Sequence, residues 1–134
     1  MNESEMSEPE WLDPETVLNI HVRVIAESGG SQGVRDEGLL ESALSRAQNV
    51  FAYEDVTLFD LAATYAVAIT HNHPFVDGNK RTAFTAADVF LRLNGYEIDA
   101  GQQELSDIMV DLAEKKIGRD GLADFLRANS RRLK

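Results

Sequence analysis

The sequence predicts an all-α fold: one compact domain of about six helices joined by short polar links. Three observations carry this. Apolar residues recur at helical spacing along most of the chain. Capping residues and glycines bracket those stretches. Strand signal is confined to Tyr96–Ile98. The length, 134 residues, suits a single domain. With 43% hydrophobic residues the chain can bury a core, roughly two-thirds of the surface that its unfolded form exposes.

Residues 1–12 read as an acidic, flexible, solvated tail, and 13–134 as the folded domain. Asp13-Pro14 is a helix start, a capping carboxylate followed by Pro at the first helical position. Val17, Ile20 and Val24 follow at helical spacing, and Ser28-Gly29-Gly30 stops the helix. After a glycine-rich loop, Asp36 caps a second helix with Leu39, Leu40, Ala43, Leu44 and Ala47 on one face. Thr57 and Asp60 resemble a capping box for a third helix, from Leu58 to about Thr70. That helix is apolar nearly all round, the mark of a buried central element. A fourth opens near Gly78-Asn79 and stops at Asn94-Gly95. Leu105, Ile108, Met109 and Leu112 stripe a fifth, and Leu122, Phe125 and Leu126 a sixth.

Composition excludes several functions. Thirteen Lys+Arg against 23 Asp+Glu leave a net charge of −10, which argues against sequence-independent binding to DNA or RNA. A basic cluster at the C-terminus, Arg127, Arg131, Arg132 and Lys134, is the one weak pointer to nucleic acid, and a helix end explains it as well. The absence of cysteine excludes disulfides, a thiol nucleophile and a thiolate zinc site. The first fifteen residues hold Glu3, Glu5, Glu8, Glu10, Asp13 and Glu15 but no Lys or Arg, unlike a secretory leader. A soluble, cytoplasmic protein is expected.

The chemistry concentrates in His71-Asn-His-Pro-Phe-Val-Asp-Gly-Asn-Lys-Arg-Thr82. His73 precedes Pro74, which pushes its backbone out of helical angles and presents the imidazole on a loop as a candidate base. Asp77 can hold Mg²⁺ together with phosphates, or simply cap the next helix. Gly78, Asn79, Lys80 and Arg81 open that helix, where free N–H groups and the helix dipole make an anion site. Two bases in a first turn oppose the dipole by about 0.3–1 kcal/mol each, a conflict that a bound anion resolves. Phe75 reads as the anchor of the loop. The spacing is not that of a Walker P-loop. Zinc held by His71, His73 and Asp77 would leave Lys80 and Arg81 without a purpose. The reaction class that uses all these groups is phosphoryl or nucleotidyl transfer to a hydroxyl.

The run His73-Pro-Phe-Val-Asp-Gly-Asn-Lys-Arg-Thr82 resembles the signature of the Fic/Doc (Fido) superfamily, nearest to the death-on-curing toxins of toxin–antitoxin modules. The resemblance extends from about Leu12 to the C-terminus. It implies His73 as general base, Phe75 as structural anchor, Asp77 as the Mg²⁺ ligand and Gly78, Asn79, Lys80 and Arg81 as the ATP phosphate cradle. It also implies a flap around Gly29–Asp36, including Gly30, Gly33 and Arg35, that docks the target's extended backbone. AMP-transferring members carry Gly where this chain has Lys80, and a further Arg where it has Phe84. Doc toxins share the Lys, bind ATP reversed and move its γ-phosphate onto elongation factor Tu, stopping translation. Pro74, Gly78 and Thr85 depart from the Doc pattern, so AMPylation or other nucleotidyl transfer stays as the alternative. A binding module with a decayed site is a further one, against which the intact His, Asp, Asn and Arg set stands. No Ser/Thr-x₃-Glu-Gly/Asn inhibitory helix is present, since Glu37-Gly38 has Gly33 at the required place. Inhibition in cis is thus not supported, and the resemblance to Doc modules implies a Phd-like antitoxin acting in trans.

Overall fold

The central helix can be picked out by composition, and the rest of the molecule is arranged on it. In the computed structural model, which describes residues 7–133, the elements are α1 (Pro14–Ser28), α2 (Glu37–Tyr53), α3 (Leu58–Asn72), α4 (Asn79–Leu93), β1 (Tyr96–Ile98), α5 (Gln102–Ala113), α6 (Arg119–Ala128) and β2 (Ser130–Arg132). α3 buries nine residues, from Leu61 to Thr70. It packs chiefly on α4, α2 and α6, and α1 closes the bundle against α4. The expected all-α class and six helices are both present. Among the described residues, no helix is long and apolar enough to cross a membrane.

The helix starts follow the local chemistry. Asp13 Oδ1 accepts from Thr16 N at 2.8 Å, with Pro14 in the first turn, and that bond holds the Asp13 carboxyl below its usual pKa. Asp36 Oδ1 accepts from Leu39 N at 3.0 Å. Thr57 and Asp60 form the reciprocal capping box. α2 runs on to Tyr53, so Phe51–Tyr53 form its last turn.

Two expectations need correction. Residues 1–6 of the expected 1–12 tail lie outside the described residues, but Pro9, Trp11 and Leu12 belong to the body. Trp11 meets Phe51 edge-on at 5.5 Å and stacks on Phe90 at 6.1 Å. Pro9 is buried and Leu12 is only 3% exposed. Leu12 N donates to the Tyr65 hydroxyl at 3.2 Å, and burial pushes that phenol up to about 12. Glu10 and Asn94 exchange two hydrogen bonds. The acidic residues give the segment its sequence character, but its two large apolar side chains decide where it lies.

The second correction is β2. It pairs antiparallel with β1, placing Tyr96 opposite Arg132, Glu97 opposite Arg131 and Ile98 opposite Ser130. Ser-Arg-Arg has no strand propensity of its own. The strand exists because α6 returns the chain beside β1, where Glu97 accepts from Arg131 across the pair.

Candidate active site

The loop between α3 and α4 and the loop between α1 and α2 meet at one end of the bundle. α3 ends on His73, whose φ of 55° and ψ of 53° are left-handed. Pro74 was expected to push His73 out of helical angles and end the helix, and it does so. The residue leaves the helix as a left-handed cap whose N–H donates to Ile69 O at 3.1 Å. The imidazole is exposed. Phe75 is the expected anchor, fully buried. Its ring lies parallel to that of His21, with centroids 3.9 Å apart.

Asn79 does something the sequence did not suggest. Its side chain is 5% exposed and turned inward. Oδ1 accepts from Phe75 N at 3.0 Å, and Nδ2 donates to Phe75 O at 3.0 Å. That pairing fixes the amide's orientation, so the N–H that faces His73 Nδ1 at 3.2 Å is a donor. A neutral His73 ring with Nδ1 so engaged carries its proton on Nε2. The Asn79 side chain thus ties the loop, and only its backbone N–H remains for the expected cradle.

Gly78, not Asp77, is the N-cap of α4. Its φ is 76°, and an added Cβ would lie 2.8 Å from Ile25 Cδ1, so both conformation and space require glycine. No side chain caps this helix, which leaves first-turn N–H groups open beside Lys80 and Arg81. Both bases are exposed. Among the described residues neither has an acidic partner, whereas Arg92, Arg119, Arg127 and Arg131 all do. Asp77 is exposed. Its Oδ2 accepts from Ser31 N at 2.8 Å, and its carbonyl accepts from His21 Nε2 at 2.8 Å.

The expected flap adjoins this loop. Gly30 and Gly33 have φ of 112° and 121°. At Gly30 an added Cβ would press on Asp77 Cβ at 3.3 Å. The second half of the expected flap is paired with the loop between α3 and α4. Val34 bridges Phe75, Gly33 O accepts from Val76 N at 3.1 Å, and Pro74 O accepts from Arg35 N at 2.7 Å. The Arg35 side chain is turned to the same loop, with Nε on His73 O at 2.8 Å and Nη2 on Asn72 O at 3.0 Å.

His73, Asp77, Gly78, Asn79, Lys80 and Arg81 all line one open cavity of about 1070 Å³. Its opposite wall is α5, through Gln102, Gln103, Leu105, Ser106, Met109 and Val110. The cavity therefore has a cationic end and an apolar end with polar edges. His71 does not join it; its ring tethers α3 to Leu112 O at 3.2 Å. Among the described residues no three His, Asp or Glu side chains converge as a metal cage, so the zinc alternative has no site. Sequence reasoning missed His21, Ser31 and the α5 wall. His21 carried a signal: it is a polar residue beside the apolar stripe of Val17, Ile20 and Val24, and it is 3% exposed.

Comparison with known proteins places the chain in a family. The family model for the Fic/DOC family matches residues 11–91. The chain is 40% identical to the protein kinase doc of Escherichia phage P1, over 87% of this chain and 92% of that protein. It is 38% identical to the toxin Doc of Mycolicibacterium smegmatis, over 85% and 88% respectively. A solved Fic domain of a VirB-translocated Bep effector protein from Bartonella quintana, with ADP bound, aligns at 18% identity and a TM-score of 0.46, over 73% of this chain and 48% of that one. The two Doc matches cover most of this chain, and with the family match they establish that it belongs to the Fic/Doc family.

Proposed function

We propose that this protein is the toxin of a toxin–antitoxin module, a cytoplasmic kinase that transfers the ATP γ-phosphate to a Ser/Thr hydroxyl of a translation factor, elongation factor Tu being the expected target. The observation that carries this reading is an uncapped helix N-terminus, bearing two cations without acidic partners, in the same cavity as an exposed histidine and an exposed carboxylate. The similarity to a relative named a protein kinase supports the γ-phosphate, as does Lys80 where a bare glycine would serve α-phosphate transfer.

In this reading the open N–H groups of α4, with Lys80 and Arg81, bind the phosphates and stabilise charge as it develops on them. The target oxygen attacks the γ-phosphorus, the bond to the β-phosphate oxygen breaks, and ADP leaves. His73 takes the hydroxyl proton. The lone pair at Nδ1 has to leave its 3.2 Å contact with Asn79 for this, the longest of the three bonds that amide makes. Mg²⁺ fits Asp77, because it needs only one or two carboxylates beside phosphate oxygens, and it would neutralise phosphate charge there. A Phd-like antitoxin would silence the enzyme in trans.

The test is transfer of label from ATP marked at the γ- or the α-phosphate, with Mg²⁺, elongation factor Tu and a bacterial lysate. The expected outcome is label from the γ position alone, lost in His73→Ala. Label from the α position would replace the kinase by an AMP-transferring enzyme.

A further inference from the structure

Arg35 was expected to face a docked target, yet its side chain is spent elsewhere. It donates to three successive carbonyls: Nη2 to Asn72 O at 3.0 Å, Nε to His73 O at 2.8 Å and its own N–H to Pro74 O at 2.7 Å. These carbonyls straddle the one residue of the loop that holds a left-handed backbone without being glycine. Such a conformation is strained for a residue with a Cβ and persists only where its surroundings over-determine it. Arg35 has no acidic partner among the described residues, so its charge is directed at the carbonyl end of α3, where a cation is favoured. The His73 ring is then fixed from the other side by Asn79.

We infer that Arg35 is a positioning residue for His73: its fork holds the backbone of the loop so that the imidazole stays at the cavity wall, resting beside Asn79 in one tautomer and placed to turn Nδ1 toward a target hydroxyl. This rests on the proposed role of His73 as base. It assigns to the flap a part in catalysis separate from docking the target. A lysine reaches one carbonyl but cannot span two, because only the guanidinium offers two parallel donors.

The experiment compares full-length wild type, Arg35→Lys and Arg35→Ala. The first readout is long-range ¹⁵N–¹H NMR of the imidazoles, of which there are three, His21, His71 and His73, assigned with His73→Ala. Wild type should show His73 as the Nε2-protonated tautomer. Arg35→Ala should shift that resonance toward tautomer averaging and leave His71 unchanged. The second readout is transfer kinetics. kcat should fall about 10- to 100-fold in Arg35→Ala, the KM for target should change less than about twofold, and Arg35→Lys should fall between. An unchanged His73 resonance in Arg35→Ala overturns the inference. So does a raised KM for target with kcat intact, which would make Arg35 a docking residue after all. If Arg35→Ala does not fold, Arg35→Lys decides by the same readouts. If no γ-label is ever transferred, the kinase reading fails while the NMR comparison still decides what Arg35 does.

Discussion

Two basic clusters stand out in this acidic chain, and they meet opposite fates. At the C-terminal end, Arg127 pairs with Asp124 at 3.0 Å and approaches Asp60 at 3.9 Å. Arg131 pairs with Glu97 at 2.6 Å and Asp99 at 3.7 Å, and hydrogen bonding to Glu97 raises its pKa further. Arg132 lies over the Tyr96 ring. At the start of α4, Lys80 and Arg81 have no carboxylate within ion-pair distance among the described residues, although acids outnumber bases by 23 to 13. Position on the helix differs too. Arg127 sits in the last turn of α6, where a cation is welcome, while Lys80 and Arg81 sit in a first turn, where it is not. The weak nucleic-acid reading of the C-terminal cluster loses support, because Arg127, Arg131 and Arg132 are answered within the fold, while Lys134 lies outside the described residues. An uncompensated charge in an unfavourable place is the better guide to a ligand than a run of charge.

That difference is broken most forcefully by removing one arginine from each cluster. Arg81→Ala should lower phosphoryl transfer about 100-fold, the loss expected when one preorganised donor to a developing anion is deleted. Arg127→Ala should leave transfer within about twofold of wild type, since its partners lie away from the cavity. Initial rates with γ-labelled ATP at saturating target measure both. Equal losses in the two variants would end the distinction between an answered and an unanswered cluster.

How far the sequence was legible follows the same logic of partners. Asp13, Asp36 and Thr57 each act on an N–H group three residues away, so each helix start could be read locally. The loop from His73 to Arg81 stood out for the same reason, because its polar groups lie in consecutive residues, and the fold brings them to one cavity. What escaped was every feature made by distant segments. Trp11 finds Phe51 and Phe90 only after folding. β2 is a strand only beside β1. His21 reaches Asp77 across 56 residues, and Arg35 reaches His73 across 38. The α5 stripe was visible as a core face, but its second use as the far wall of the cavity depends on where the bundle places it. Asn79 belongs to the expected site but plays a different part in it. The sequence shows an amide, and only the fold shows that the Phe75 backbone occupies both ends of it.

A smaller effect tests the comparison by its sign. Lys80→Gln removes a cation from the first turn of α4 and should stabilise the free protein by about 0.3–1 kcal/mol. Arg127→Gln removes one from the last turn of α6, together with its exposed pair to Asp124, and should destabilise by a similar amount. For a domain of this size the two melting temperatures should move apart, each by about 1–4 °C in opposite directions. Both shifts should shrink near 1 M salt, where screening acts over about 3 Å. Thermal unfolding without nucleotide, at low and high salt, measures them. Shifts of the same sign would mean that Lys80 is compensated within the fold after all, and the case for an anion at the start of α4 would lose its physical ground. Opposite signs would show that the site retains a charge against its own stability, as expected where binding rather than folding keeps it there.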